Sequence, residues 1–212
     1  MVATTDQKAR LLDLVTGVLE LTRDGKRDAG AVCELLQLVK DNPEFARLIV
    51  GVKAKLLKFV TFVTTVSLPG IDRFVARDHF QVGEHNGVKI AWLGDNFKRH
   101  FPDKVEEGIG AAELKIHKLL QPAPDPPIIA ELGEHPEITL GQLFALLQKQ
   151  GNGEPGPLLV NGWANIAYIR DQDGANWAVF VYRRVGGRGW VVGADSVGDP
   201  CRWGDGRQIC SR

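Results

Sequence analysis

The stretch Ile166-Ala-Tyr-Ile-Arg-Asp-Gln-Asp-Gly-Ala-Asn-Trp-Ala-Val-Phe-Val-Tyr-Arg183 decides how the chain is read. Two runs of β-branched and aromatic residues flank Asp173-Gly174, a dipeptide that tolerates the positive backbone angles of a tight hairpin turn. The same pattern continues outward. Trp190-Val191-Val192 follows Gly186-Gly187, and Ile209 follows Gly198-Asp199-Pro200. Four short runs separated by turn signals predict a four-stranded antiparallel meander at the C-terminus. This region holds four of the five tryptophans and both tyrosines, and its charges are seven arginines and five aspartates with no lysine or glutamate.

Upstream, the middle of the chain alternates. Val88–Leu93 and Leu114–Leu119 read as strands, with Asp95 capping a helical turn through Phe97 and Phe101. Four prolines in the seven residues 121–127 predict an extended connector. Thr139 caps a helix through Leu140, Leu143, Phe144 and Leu147, and Gly151 is its stop. A short helix is expected over Asp72–His79. The run Phe59, Val60, Phe62, Val63, Val66 has strand-forming residues at helical spacing, so periodicity leaves it open.

The first 60 residues read as three helices. Leu11, Leu14, Val15, Val18 and Leu21 form one apolar stripe, and Asp28 caps a second helix through Val32, Leu35, Leu36 and Val39. Asn42-Pro43-Glu44 opens a third. The expected fold is therefore α+β: a small N-terminal helical bundle over residues 1–69, packed with a mixed or antiparallel sheet over 70–212 that ends in the four-stranded meander.

The 212 residues carry 26 Lys+Arg against 26 Asp+Glu. No global basic field exists to gather phosphates, and the composition excludes collagen, a disordered tail and a disulfide scaffold. Three cysteines and a polar start without a secretory signal predict a cytoplasmic location. The longest uncharged piece, Phe59 to Ile71, is 13 residues, well short of the roughly 20 that span a bilayer, so no membrane span is expected. Lys53, Lys55 and Lys58 among apolar residues fit either a membrane-surface helix or simple packing.

Chemical motifs are sparse. Gly151-Asn-Gly-Glu-Pro-Gly156 matches the dinucleotide-binding spacing, but it follows a helix instead of a strand and reads as a loop. Cys201 and Cys210 read as free thiols, Cys33 as a core residue, and no metal or cofactor is expected. Asp78 with His79, and Asp95 with His100, are the candidates for acid–base work in a small hydrolase or nuclease-like enzyme. Cys33, His117 and Asn165 form a thiol-protease set on paper only.

The strongest functional signal is the aromatic and arginine content of the C-terminal sheet. Tyr168, Arg170, Trp177, Tyr182, Arg183, Arg184, Arg188, Trp190, Trp203 and Arg207 are the candidate surface. Guanidinium groups beside aromatic rings stack on bases or clasp anions. Half-buried strands also use aromatics as core, with Arg–Asp pairs on the wet face. The leading expectation is a non-enzymatic binding or interaction protein with a protein partner or a nucleic acid. The hydrolase and an RNA or single-strand binder are the alternatives.

Several stretches are similar to one family of proteins. They are Asp24-Gly-Lys-Arg-Asp28, Phe74-Val-Ala-Arg-Asp-His-Phe80, Trp92-Leu-Gly-Asp-Asn-Phe97, Ile128-Ile-Ala-Glu-Leu-Gly133, Leu158-Leu-Val-Asn-Gly162, Tyr168-Ile-Arg-Asp171 and the ending Arg202-Trp-Gly-Asp-Gly-Arg-Gln-Ile-Cys-Ser-Arg212. They resemble a family of uncharacterised proteins that recurs in small-genome candidate-phyla bacteria. The resemblance implies a shared architecture and transfers no activity. In that family an aromatic more often stands where Cys201 and Cys210 do here, which speaks against a shared disulfide or metal site.

Overall fold

The computed structural model describes residues 28, 30, 32–34, 37, 58–184, 186, 189–199 and 201–212. The chain divides into two compact units, Met1–Leu57 and Lys58–Arg212. In the first, Gly30, Val32, Cys33, Glu34 and Gln37 are helical, and the Val32 N–H donates to the Asp28 carbonyl. The expected helices before and after that stretch, with Lys53 and Lys55, lie outside the described residues.

The second unit corrects the expected fold. It is dominated by one mixed eight-stranded sheet with a few short helices, not by a helical bundle joined to a separate meander. Its elements are β1 (Val60–Leu68), β2 (Ile71–Val75), α1 (Ala76–His79), β3 (Gly83–His85), β4 (Val88–Leu93), α2 (Asp95–His100) and β5 (Val105–Ile109). Then follow β6 (Ala112–Leu119), α3 (Asp125–Leu132), α4 (Leu140–Gln148), β7 (Asn165–Arg170), β8 (Asn176–Arg183), β9 (Trp190–Ser196) and β10 (Gln208–Ser211). The sheet order is β1-β6-β10-β7-β8-β9-β4-β3, and β2 pairs with β5 in a two-stranded ribbon.

Only β7, β8 and β9 form the antiparallel meander read from the turns. Strand β10 leaves it, inserting parallel to β7 and antiparallel to β6, and β4 joins β9 in parallel. Turn residues specify a partner only for strands joined by a hairpin. Strand β10 has Ile209 buried on one face and Cys210 on the other, so it satisfies burial only in the interior of a sheet.

Three local readings change for physical reasons. The ambiguous run is strand β1, and a register shift between Phe62 and Thr64 breaks its two-residue period and produces the helix-like spacing. The first half of Asp72–His79 belongs to strand β2, leaving the last four residues to α1. The proline-rich connector turns into α3 at Asp125, with Pro126 and Pro127 in the first turn, where the missing N–H groups have no helical partner to lose. Helix α4 begins as read: Thr139 and Gln142 form a reciprocal capping box.

The sheet has two unequal faces. Ala167, Ile169, Val179, Val181, Trp190, Val192 and Cys210 share one buried cluster with Leu140, Leu143, Phe144 and Leu147 of α4. On the other face Ile166, Tyr168, Ala178 and Ile209 cluster with Ile128 of the eight-residue helix α3. Fewer elements pack on this face than on the first, and part of it stays uncovered. No helix among the described residues is long and apolar enough to cross a membrane.

Candidate ligand-binding cleft

Side chains alternate along a strand, so Phe180 and Tyr182 of β8 point to the same face as Ala178. Phe180 pairs across the sheet with Gly193, where a β-carbon would collide with its ring. The glycine lets the phenyl ring lie down on the sheet. Two loops then wall the space beside Phe180 and Tyr182.

The first wall is Trp203. Its backbone forms a two-way bridge with Ala123, at 2.9 and 3.1 Å, and its ring meets Phe180 edge-on at 5.7 Å between centres. The indole N–H donates to Asp125 Oδ1 at 2.7 Å, and the Tyr168 hydroxyl donates to the same oxygen at 2.9 Å. Burial pushes the Asp125 carboxyl up, the two donors pull it partly back, and the charges of Asp195 and Asp199 add to the rise. Burial also pushes the Tyr168 hydroxyl up, so it remains a donor.

The second wall is Trp163, a residue 45% exposed. Asn161 Oδ1 accepts the Trp163 N–H at 3.2 Å, and Gly162 takes the left-handed φ of 93° that this turn requires. The Arg207 guanidinium carbon lies 5.4 Å from the centre of the Trp163 ring. At Gly204 a β-carbon would overlap the guanidinium, so glycine lets Arg207 lie across the loop.

The space so enclosed is about 430 Å³, within the range of sites for small organic ligands. Its lining is mostly ring surface, with Asn161, the Tyr182 hydroxyl and Arg207 as the polar side-chain groups. The arrangement can stack a planar ligand and offer it a few hydrogen bonds.

Of the ten candidate residues, Tyr182, Trp203 and Arg207 meet at this cleft. Tyr168 is buried beneath it. Trp190 is wholly buried on the α4 face, its indole N–H donating to the Gln150 carbonyl at 3.1 Å. Trp177 is half-buried on that same face and donates to Asp171 Oδ2 at 2.8 Å. Arg183 is buried against the Gly151 carbonyl at 3.4 Å. Arg170 pairs with Glu137 at 3.1 Å, Arg184 is exposed, and Arg188 lies outside the described residues. Trp163, Phe180 and Asn161 belong to the cleft without having been singled out. The available signal was the two-residue spacing of Phe180 and Tyr182, together with an Asn-Gly turn before a tryptophan.

The acid–base candidates do not converge. The His79 ring stacks on Phe74 at 4.4 Å between centres and bonds Asn86 at 2.9 Å. Burial lowers its pKa, partly opposed by Asp78. Asp95 pairs with Lys98 at 2.7 Å, and His100 faces Asp171 at 3.5 Å instead of Asp95. His117 meets Ser211 at 3.2 Å, while the Asn165 amide is committed to the backbone of Leu159 and Val181. Cys33, expected in the core, is exposed, as is Cys201, and Cys210 is buried; all three are free, with burial pushing the Cys210 thiol up to about 12.

The glycine motif is a structural loop. Gly153 N–H donates to Gln150 and Asn152 N–H to the Glu154 carboxylate, which leaves these amides no part in holding a phosphate. Comparison with protein-family models, with curated proteins and with solved structures finds no match to this chain.

Proposed function

We propose that the protein is a non-enzymatic binding protein whose site is the cleft between Trp163 and Trp203. The observation that carries this is the open space walled by four aromatic rings on the face of the sheet, a feature that marks interaction sites. Its described lining contains no histidine, cysteine, serine or carboxylate, so it supplies no nucleophile–base pair. The ring count supports stacking on a planar ligand, with Asn161 and Tyr182 fixing its orientation. The aspartates around Asp125 weigh against the single-strand nucleic-acid reading, because a chain running past Trp203 meets negative charge.

The test uses N-phenyl-1-naphthylamine, a neutral aromatic dye whose emission rises in apolar sites. Saturable enhancement is expected with the full chain, and Trp163→Ala and Tyr182→Ala are expected to weaken it about tenfold or more, the effect of losing about one stacked ring. Absence of saturable binding, or binding untouched in both variants, overturns the reading.

A further inference from the structure

We infer that the cleft selects planar aromatic ligands that carry one anionic group, with Arg207 as the counter-charge. This rests on the reading of the cleft as a binding site and specifies what it binds.

The guanidinium is the only charged group in the described lining. It is half-buried, and among the described residues no carboxylate forms an ion pair with it. Its guanidinium carbon lies 5.4 Å from the centre of the Trp163 ring, and Nη1 lies beside Gly204. The other arginines with described side-chain contacts behave differently: Arg73, Arg77 and Arg170 pair with Glu107, Asp103 and Glu137, and Arg183 is bound to a carbonyl. Among the described residues no acceptor takes the side-chain N–H groups of Arg207, and a guanidinium fork matches the two oxygens of a carboxylate or phosphate. Partial removal from water makes a charge-assisted bond there worth more than at an open surface.

The size and charge of the surroundings limit the ligand. About 430 Å³ holds a ring system with a short substituent. On the far side of the Trp203 indole N–H stands buried Asp125, whose carboxyl also feels Asp195 and Asp199. Positive charge at the Arg207 end and negative charge beyond Trp203 favour a compact anion oriented along the cleft over an extended polyanion.

The experiment compares matched pairs by isothermal titration calorimetry on the full chain: 5′-AMP against adenosine, and indole-3-acetate against indole-3-acetamide. In at least one pair the anion is expected to bind about tenfold tighter or more, the effect of about one charge-assisted pair. Which pair shows the preference distinguishes phosphate from carboxylate. Arg207→Gln is expected to bring the two members of that pair within about twofold, the anion losing more affinity than its neutral partner, and Arg207→Lys to restore part of the preference. Thermal melting of both variants checks that the fold is intact. Equal binding of charged and neutral members, or a preference that survives Arg207→Gln, overturns the inference. If neither pair binds while N-phenyl-1-naphthylamine does, the inference fails and the binding site stands. If the dye also fails, both fall together.

Discussion

The two faces of the sheet use the same residue types to opposite ends. On one, Trp177 and Trp190 lie with α4 and the phenylalanines around it, and Trp190 has no exposed surface. On the other, α3 covers Tyr168 and Ile166 and stops, so Phe180, Tyr182, Trp163 and Trp203 line a cleft. Each face also holds a carboxylate that accepts an indole N–H: Asp171 from Trp177 and Asp125 from Trp203. Aromatic content therefore says little about core or site. What distinguishes them is how much chain packs on each face: α4 is only one residue longer than α3, but Phe74, Phe80, Phe97 and Phe101 from β2 and the α1–α2 region join it on the closed face.

The comparison breaks first if the tryptophans prove energetically alike. Trp190→Ala on the closed face is expected to cost about 3–5 kcal/mol, a large cavity plus an unpaired Gln150 carbonyl, read from denaturant unfolding. A loss below about 1 kcal/mol would mean that this face is not the closed core.

The two indole-bound carboxylates give a sharper test through pH. Burial raises the Asp171 carboxyl, but donors from Trp177, Ala175 and Asp173, with His100 nearby, outweigh it and hold the group below the usual range. Its contribution is present above the unfolded value of about 3.9 and is lost as pH falls through the lower folded value. Asp125 is raised, so its buried charge weakens the fold progressively as pH climbs from about 3.9 through its folded value. Stability of the wild type minus Asp171→Asn should thus rise with pH, with about 2 kcal/mol lost by the variant at neutral pH. The wild type minus Asp125→Asn should fall with pH. Parallel slopes in urea titrations across pH 3–7 would contradict the contrast between the faces.

Smaller changes refine it. Tyr168→Phe removes one of the two donors to Asp125 Oδ1 and is expected to cost about 1 kcal/mol. The Asp125 carboxyl should rise further, readable by carbon-detected NMR titration. Smallest of all, Trp163→Ala should leave unfolding within about 0.5 kcal/mol of wild type while weakening ligand binding. A stability loss near that of Trp190→Ala would make Trp163 a core residue and remove the cleft's outer wall.

Much of the local structure was legible because its signals are local. Asp173-Gly174 marked the β7–β8 hairpin, and Thr139 with Gln142 marked the start of α4. Strand β1 was not, because its bulge near Phe62 disturbs the alternation by which strands are recognised. At the site, Tyr182, Trp203 and Arg207 were readable as aromatic and cationic groups within one module. Trp163 and Phe180 were not singled out, because their role depends on a loop and a strand face meeting across the fold. Arg183 was misleading for the same reason: the side chain looks like surface charge and is buried under the glycine loop.

By itself the sequence determined where hairpins turn, where α4 begins, that mixed helix and strand content is present, and that the aromatic and arginine residues crowd the C-terminal region. Those features follow from backbone preference and capping, which act over a few residues. Only the tertiary structure decided that β10 lies between β6 and β7, that β4 extends the sheet beside β9, and that one aromatic face is sealed while the other stays open. Each of these depends on which surfaces are buried together by elements far apart in the chain. Local pattern constrains that choice without making it.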